Sequence, residues 1–232
     1  MQGAGRAVGP PFQADRYSMT RFTPSQAGRP DLQVMSPTTD FESLDPIFGP
    51  LVEAAPLNEL GVGSPDKSAA EKLDSISLAD AFAPHKIVDR RMADACLAGL
   101  WLLYDDLDRS HKISQSIHTP TGSYWHAIMH RREGDFGNSK YWFDRVGTHP
   151  IFEPLAEAAS ALVRDEFSAS PTTDLDASWL SEAGDWDPFR FVDLCAAVVA
   201  GRSKADWLCR LIQQSECRLL MQFCYHGAIQ LS

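Results

Sequence analysis

The chain has 232 residues, of which 44% are hydrophobic and 22% are charged, a balance typical of a folded protein with one core. Its formal net charge of −10 disfavours nucleic-acid binding, because phosphate neutralisation needs a clustered basic surface. The apolar runs are too short to span a bilayer, and the N-terminus lacks the apolar segment of a secretory signal. We therefore predict a cytoplasmic protein that has neither nucleic acid nor a membrane as a partner.

Proline and glycine dominate the first part of the chain. Breakers recur at short intervals between Pro10 and Pro65, so no long regular element can form there. Residues 1–65 are predicted to be a flexible tail, and residues 66–232 a single domain. Within the tail, the segment from Phe41 to Leu60 is more apolar, and the alternative is that it docks on the domain as short turns.

Helical periodicity then continues almost to the C-terminus. Asp66 is a candidate cap for the first helix, Ser123 for the helix that follows the turn at 119–122, and Gly99 is a candidate notch for close packing. The predicted helices cover residues 66–73, 87–104, 107–117, 124–133, 135–146, 151–167, 189–200 and 204–226, and residues 78–82 form a further apolar patch. Since no stretch alternates with period two, the pattern predicts an all-α domain built as a helical bundle.

Two segments, 95–117 and 123–146, superimpose with a shift of 28 residues and suggest weak tetratricopeptide-like helical hairpins. That repeat, however, is 34 residues long, and no third copy is present. A bundle with antiparallel neighbours is therefore favoured over a solenoid. The five cysteines form no CxxC pair and are predicted to be reduced, buried thiols.

The densest group of reactive side chains lies between residues 123 and 150. His126 and His130 are four residues apart, so both imidazoles fall on one face of a helix, and Glu133 follows one turn later. This spacing permits a bound transition metal such as zinc or iron, with His111 or His118 as a third ligand. The motif is not that of the zincin proteases, because Ala127 stands where their glutamate would be.

Two other interpretations of these residues remain open. In a metal-free enzyme, His126, His130 and Glu133 are the candidate catalytic groups, with a histidine as general base. Arg131 or Arg132 would then hold an anionic group of the substrate. The candidate ligand-binding side chains are Arg131, Arg132, Asn138, Tyr141 and Trp125. In the second interpretation the cluster is structural, and the domain is an interaction module that binds a protein partner. The sequence thus leaves open whether the protein is a hydrolase-like enzyme with a small-molecule substrate.

The block SYWHAIMHRREGDFGNSKYWFDRVGTHPIF resembles a family of uncharacterised bacterial and fungal proteins in which a WHxIxHRRExD…KYWFxRVGxHP pattern recurs. The resemblance extends from about Leu103 to Cys195. The family has no established activity, so the resemblance implies a shared motif and no mechanism. This chain has Ser139 where alanine is usual and Asp144 where arginine is usual, and the second change weakens any anion site built on positions 144 and 145.

Overall fold

The computed structural model describes residues 47–169, 175–181 and 184–229, and within these ranges the chain forms α-helices and one 3₁₀ helix with no strands. The predicted all-α fold is confirmed. The helices are α1 (Phe48–Glu53), α2 (Lys67–Ser75), α3 (Leu78–Ala81), α4 (Arg90–Leu103), α5 (Leu107–Ser114), α6 (Pro120–Glu133), α7 (Phe136–Val146), α8 (Phe152–Ala169), the 3₁₀ helix Leu175–Ser181, α9 (Pro188–Val199) and α10 (Asp206–Ile229).

Two clusters of buried apolar side chains form the core. The larger cluster lies between α4, α6 and the second half of α10 and includes Leu102, Trp125 and Met221. The smaller cluster lies between α8, α9 and the first half of α10 and includes Leu155 and Phe191. Because α10 contributes side chains to both clusters, it connects the larger cluster to the smaller one.

The central helix is α6, which packs against α4, α5 and α7. Gly99 of α4 allows this close packing, because a Cβ atom at that position would lie 2.6 Å from the Trp125 ring and 2.7 Å from Met221 Cε. The predicted role of Gly99 as a packing notch is therefore confirmed. Such contacts are shorter than van der Waals packing tolerates.

Residues 47–65, which the sequence assigns to the flexible tail, pack on the helices. Phe48 and Val52 of α1 belong to the larger core cluster. The loop that follows is held by side-chain donors: Arg210 donates to the Leu57 and Asn58 carbonyls at 2.7 and 3.0 Å. The docked-arm alternative therefore describes this stretch, and ordered packing starts upstream of the predicted boundary at Asp66. Residues 1–46 lie outside the described ranges.

The sequence predicts most helix ends well, and the main correction concerns the start of α6. Asp66, Asp135 and Asp187 cap α2, α7 and α9 through backbone N–H groups, as their positions before helical runs indicate. Residues 119–122, predicted to be a turn, form the first turn of α6 instead. Thr119 is its cap and accepts from Gly122 N, so the predicted capping role of Ser123 is wrong.

None of the helices in the described ranges combines the length and the apolar character that crossing a bilayer requires. All five cysteines are buried and none forms a disulfide, as predicted. Burial raises the pKa of the Cys217 thiol to about 12, so it stays protonated at neutral pH.

Candidate functional site

The candidate site is carried by α6, a helix without a solvent-exposed face. Every residue from Thr121 to Arg132 is buried. The helix starts at the Thr119 cap with Pro120 in its first turn, and it ends at Gly134, whose φ of 79° a side-chain-bearing residue rarely adopts. Since a helix buried all round cannot turn its polar groups to water, each of them needs a partner inside the protein or a ligand.

Three imidazoles meet where α5 crosses α6. The ring centroids of His126 and His130 are 4.8 Å apart, and that of His111 lies 4.7 Å from His126 and 5.3 Å from His130. One nitrogen from each ring can be chosen so that all three lie within 4.8 Å of one another. His126 is 2% exposed and His130 is 8% exposed, whereas His111 is half-buried and forms the rim.

The three nitrogens lie farther apart than a bound zinc ion would hold them. Zinc–nitrogen bonds of about 2.1 Å in a tetrahedral site place ligand nitrogens about 3.4 Å apart. Metal binding would therefore require the three side chains, whose nitrogens lie within 4.8 Å of one another, to move closer together. Three protein ligands with a fourth position open is the arrangement of catalytic zinc sites.

Burial keeps the two α6 imidazoles neutral. Burial, together with smaller contributions from the neighbouring His130 and His111, lowers the pKa of His126 to about 4. Burial also lowers the pKa of His130, although Glu133 opposes this effect. Neutral imidazole is the form that binds metals. His126 Nδ1 has no hydrogen-bond partner among the described residues, so a buried lone pair or N–H group is left without a partner in the protein.

Glu133 fixes the orientation of His130. Its Oε2 lies 3.0 Å from His130 Nδ1, one helical turn away. Such a carboxylate makes Nδ1 the donor and leaves Nε2 as the lone-pair nitrogen that faces outward from this pair. A carboxylate behind a histidine is the usual second partner of metal-ligating imidazoles.

Trp142 of α7 forms a wall of the site. Its ring stacks on that of His126 with centroids 4.1 Å apart and an interplanar angle of 17°. Tyr141, a predicted ligand-binding residue, meets the Trp142 ring edge-on and is 53% exposed. The sequence analysis named Tyr141 as a candidate and did not single out Trp142, which is the residue that contacts His126.

The structure places the two predicted anion-binding arginines in buried ion pairs. Arg131 makes a two-pronged contact with Glu216 of α10 and lies over the Phe191 ring. Arg132 donates to Asp105 at 2.6 Å and to the Gly61 carbonyl at 3.1 Å. Both guanidinium groups are fully buried. Their hydrogen bonds among the described residues go to Glu216, Gly61 and Asp105 and not to the imidazoles.

Three other predicted residues also lie apart from the cluster. Trp125 is fully buried, and its indole N–H donates to Cys224 Sγ at 3.4 Å. Asn138 donates to Asp135 at 2.8 Å in the first turn of α7. His118 is exposed between α5 and α6, so His111 is the third histidine that the fold brings to His126 and His130.

Two side-chain contacts near the site were not predicted from the sequence. Glu216 gave no sign that it would be buried, since it lies among polar residues of α10 and its partner is 85 positions away. Arg145 lies over Trp142 and Tyr141, and the helical spacing of these three residues could have indicated that contact.

Comparison with known proteins adds no relative: no family model, no curated protein and no solved structure matches the chain.

Proposed function

We propose that the protein binds one divalent transition metal, zinc or iron, through His111, His126 and His130, and that this centre catalyses hydrolysis of a small molecule. The observation that carries the proposal is the convergence of three imidazoles, two of them held neutral by burial. The unpartnered His126 Nδ1 and the Glu133 carboxylate behind His130 add support.

The chemistry follows from three neutral ligands and an open position. A metal bound in this way would lower the pKa of a coordinated water towards about 7 and polarise a substrate carbonyl or phosphoryl oxygen. In this proposal the protein side chains have separate roles. His126 and His130 supply rigid ligands from α6, His111 completes the set from α5, and Glu133 orients His130.

The metal-free alternative has less support. A general base works best with a pKa near the working pH, whereas His126 has a pKa of about 4. The arginines expected to bind an anionic substrate are paired with Glu216 and Asp105 instead.

Metal titration of the protein tests the proposal directly. Protein purified without a histidine tag should contain zinc or iron by elemental analysis, and the stripped protein should gain thermal stability on adding Zn²⁺ or Co²⁺. His126→Ala and His130→Ala should abolish this gain, and His118→Ala, the exposed control, should keep it. Absence of bound metal together with no thermal shift would overturn the proposal.

The interaction module is the second candidate, because several large apolar side chains are exposed. Tyr141 of α7 is 53% exposed, and Phe189 and Val199 of α9 are 38% and 49% exposed. The two helices pack against each other, and Lys140 pairs with Asp193 across them at 2.6 Å. A failed metal titration would favour this candidate.

Under either candidate we propose a cytoplasmic location, where thiols stay reduced. The five buried cysteines, none of which forms a disulfide, support this location.

A further inference from the structure

Next to the three histidines, α7 presents an exposed cation on an aromatic surface. Arg145 follows Tyr141 by four residues and Trp142 by three, so its side chain lies on the same face of the helix. The guanidinium carbon is 5.6 Å from the centroid of the Tyr141 ring and 5.5 Å from that of the Trp142 ring. The Tyr141 hydroxyl accepts from Arg145 Nη1 at 3.1 Å. These contacts orient the guanidinium group.

The charge of Arg145 has no carboxylate partner among the described residues. By comparison, Arg131 pairs with the buried Glu216, and Arg132 pairs with the half-buried Asp105. The adjacent Asp144 is exposed, and it makes no ion pair with Arg145 among the described residues. An exposed, oriented guanidinium with its donors available is the usual group for binding a carboxylate or a phosphate.

Trp142 connects this cation to the histidines. Its ring centroid is 4.1 Å from that of His126 and 5.5 Å from the Arg145 guanidinium carbon. The cation can therefore be no farther from the His126 ring than these two distances combined. A ligand of several atoms can span any separation up to that limit.

We propose that the substrate of the histidine centre carries an anionic group, a carboxylate or a phosphate, that binds Arg145 while its reacting group reaches His111, His126 and His130. The inference rests on the proposed metal site. It assigns to Arg145 the anion-binding role that the sequence gave to Arg131 and Arg132. The Trp142 ring is near both His126 and Arg145, so it offers an apolar contact to the part of the substrate that connects the anionic group to the reacting group.

Separate titrations with a monoanion and with dianions of increasing length test this proposal. On the Co²⁺-loaded protein, acetate measures binding at the metal alone, and succinate, glutarate and adipate measure binding at both ends by visible absorption titration. We expect the best-spaced dicarboxylate to bind about tenfold more tightly than acetate, since the second contact is intramolecular. In Arg145→Gln this advantage should disappear, with Co²⁺ affinity unchanged. 3-Phosphonopropionate in place of succinate, which has the same spacer, shows whether Arg145 prefers a phosphate-like group.

Arg190→Gln is the matched control, because Arg190 lies 4.5 Å from the Trp179 ring in an equivalent stacked contact elsewhere. It should retain the dicarboxylate advantage. Equal binding of acetate and every dianion by the native protein, or an advantage that survives in Arg145→Gln, would overturn the anion site while the metal site stands. If Co²⁺ does not bind at all, the proposed function and the anion site fall together.

Discussion

At the scale of single residues, Glu133 distinguishes this histidine pair from two imidazoles that merely share a helix face. It is the acidic group in hydrogen-bond contact with the cluster, and it lies on the same helix as the ring that it orients. The contact is local to α6, whereas His111 comes from α5. A site whose first two ligands are ordered locally loses less conformational entropy when the metal binds.

Replacing Glu133 by glutamine should weaken metal binding without removing it. The amide can still contact His130 Nδ1, but it no longer increases the basicity of the ring. The metal dissociation constant should rise by about tenfold or more, as is typical when a carboxylate behind a metal-ligating histidine is lost. Competition titration with a chromophoric chelator measures it. Glu157→Gln, an exposed change on α8, should have no effect, and an unchanged constant in Glu133→Gln would contradict the orienting role.

The buried Arg131–Glu216 pair gives a second prediction. Arg131→Met should lower the free energy of unfolding by about 3–5 kcal/mol, because the Glu216 carboxylate is left buried without its partner. The double variant Arg131→Met/Glu216→Leu should recover most of that loss, since no charge remains in the core. Urea unfolding of the two variants and the native protein measures both values. A double variant that is as unstable as the single one would show that the pair is essential to the packing.

Part of the site could be predicted from local spacing, and part could not. The shared face of His126 and His130 follows from their separation by four residues, and Glu133 follows from the same helical period. The choice of His111 over His118 depends on how α5 crosses α6. The burial of Arg131 and Arg132 depends on Glu216 and Asp105, which the fold brings from distant positions. Sequence patterning predicts neighbours within a helix and not partners between helices.

At the scale of helices, the start of α6 shows how a local signal can be misinterpreted. The sequence Thr119-Pro120-Thr121-Gly122 contains typical turn residues, yet proline is also favoured in the first turn of a helix after a threonine cap. The structure follows the second rule. It places one further turn on α6, and that turn positions Thr121, whose hydroxyl lies 3.2 Å from His149 Nε2.

The contact between α4 and α6 depends on Gly99. Gly99→Ala should destabilise the protein by about 1–3 kcal/mol, because the added methyl group would overlap Trp125 and Met221. Gly137→Ala is the matched control in α7, since the only atom near its added methyl group is Asp135 Oδ1 at 3.8 Å. There the higher helix propensity of alanine should stabilise by roughly 0.5–1 kcal/mol. Thermal unfolding of both variants checks the opposite signs, and two changes of the same sign would contradict the packing argument.

At the scale of the whole molecule, buried neutral histidines make stability depend on pH. Burial lowers the pKa of His149 to about 4, below the value of about 6.5 expected in the unfolded chain. The unfolded state therefore binds a proton first as pH falls. The stability that neutral His149 contributes is present above pH 6.5 and is lost progressively as pH falls to 4 and below, by roughly 3 kcal/mol.

The metal-free protein should accordingly lose stability between pH 6.5 and 4, and His149→Gln should show a shallower loss. Urea unfolding at several pH values with EDTA present measures the slope. His118→Gln, at an exposed position, should follow the native profile. A His149→Gln profile as steep as that of the native protein would assign the acid sensitivity to other groups.

The packed stretch from residue 47 to 65 is the largest feature that composition concealed. Its prolines and glycines indicate a flexible segment, and no local pattern reveals the arginines that hold it. Arg210 reaches the Asn58 carbonyl across 152 positions of sequence, and Arg132 reaches Gly61 across 71. The all-α class and most helices could be predicted because they depend on periodicity. The docking of this stretch could not, because it depends on donors supplied by the finished fold.

The burial of α6 has a consequence for how quickly the site would exchange its ion. His126 and His130 belong to a helix that is buried all round, whereas His111 belongs to the shorter α5 and is half exposed. If the proposed ion is bound, we expect it to enter and leave chiefly by movement of His111. We expect the residence time of the metal to be governed by this one side chain, so that two ligands determine where the ion is held and the third determines how long it stays.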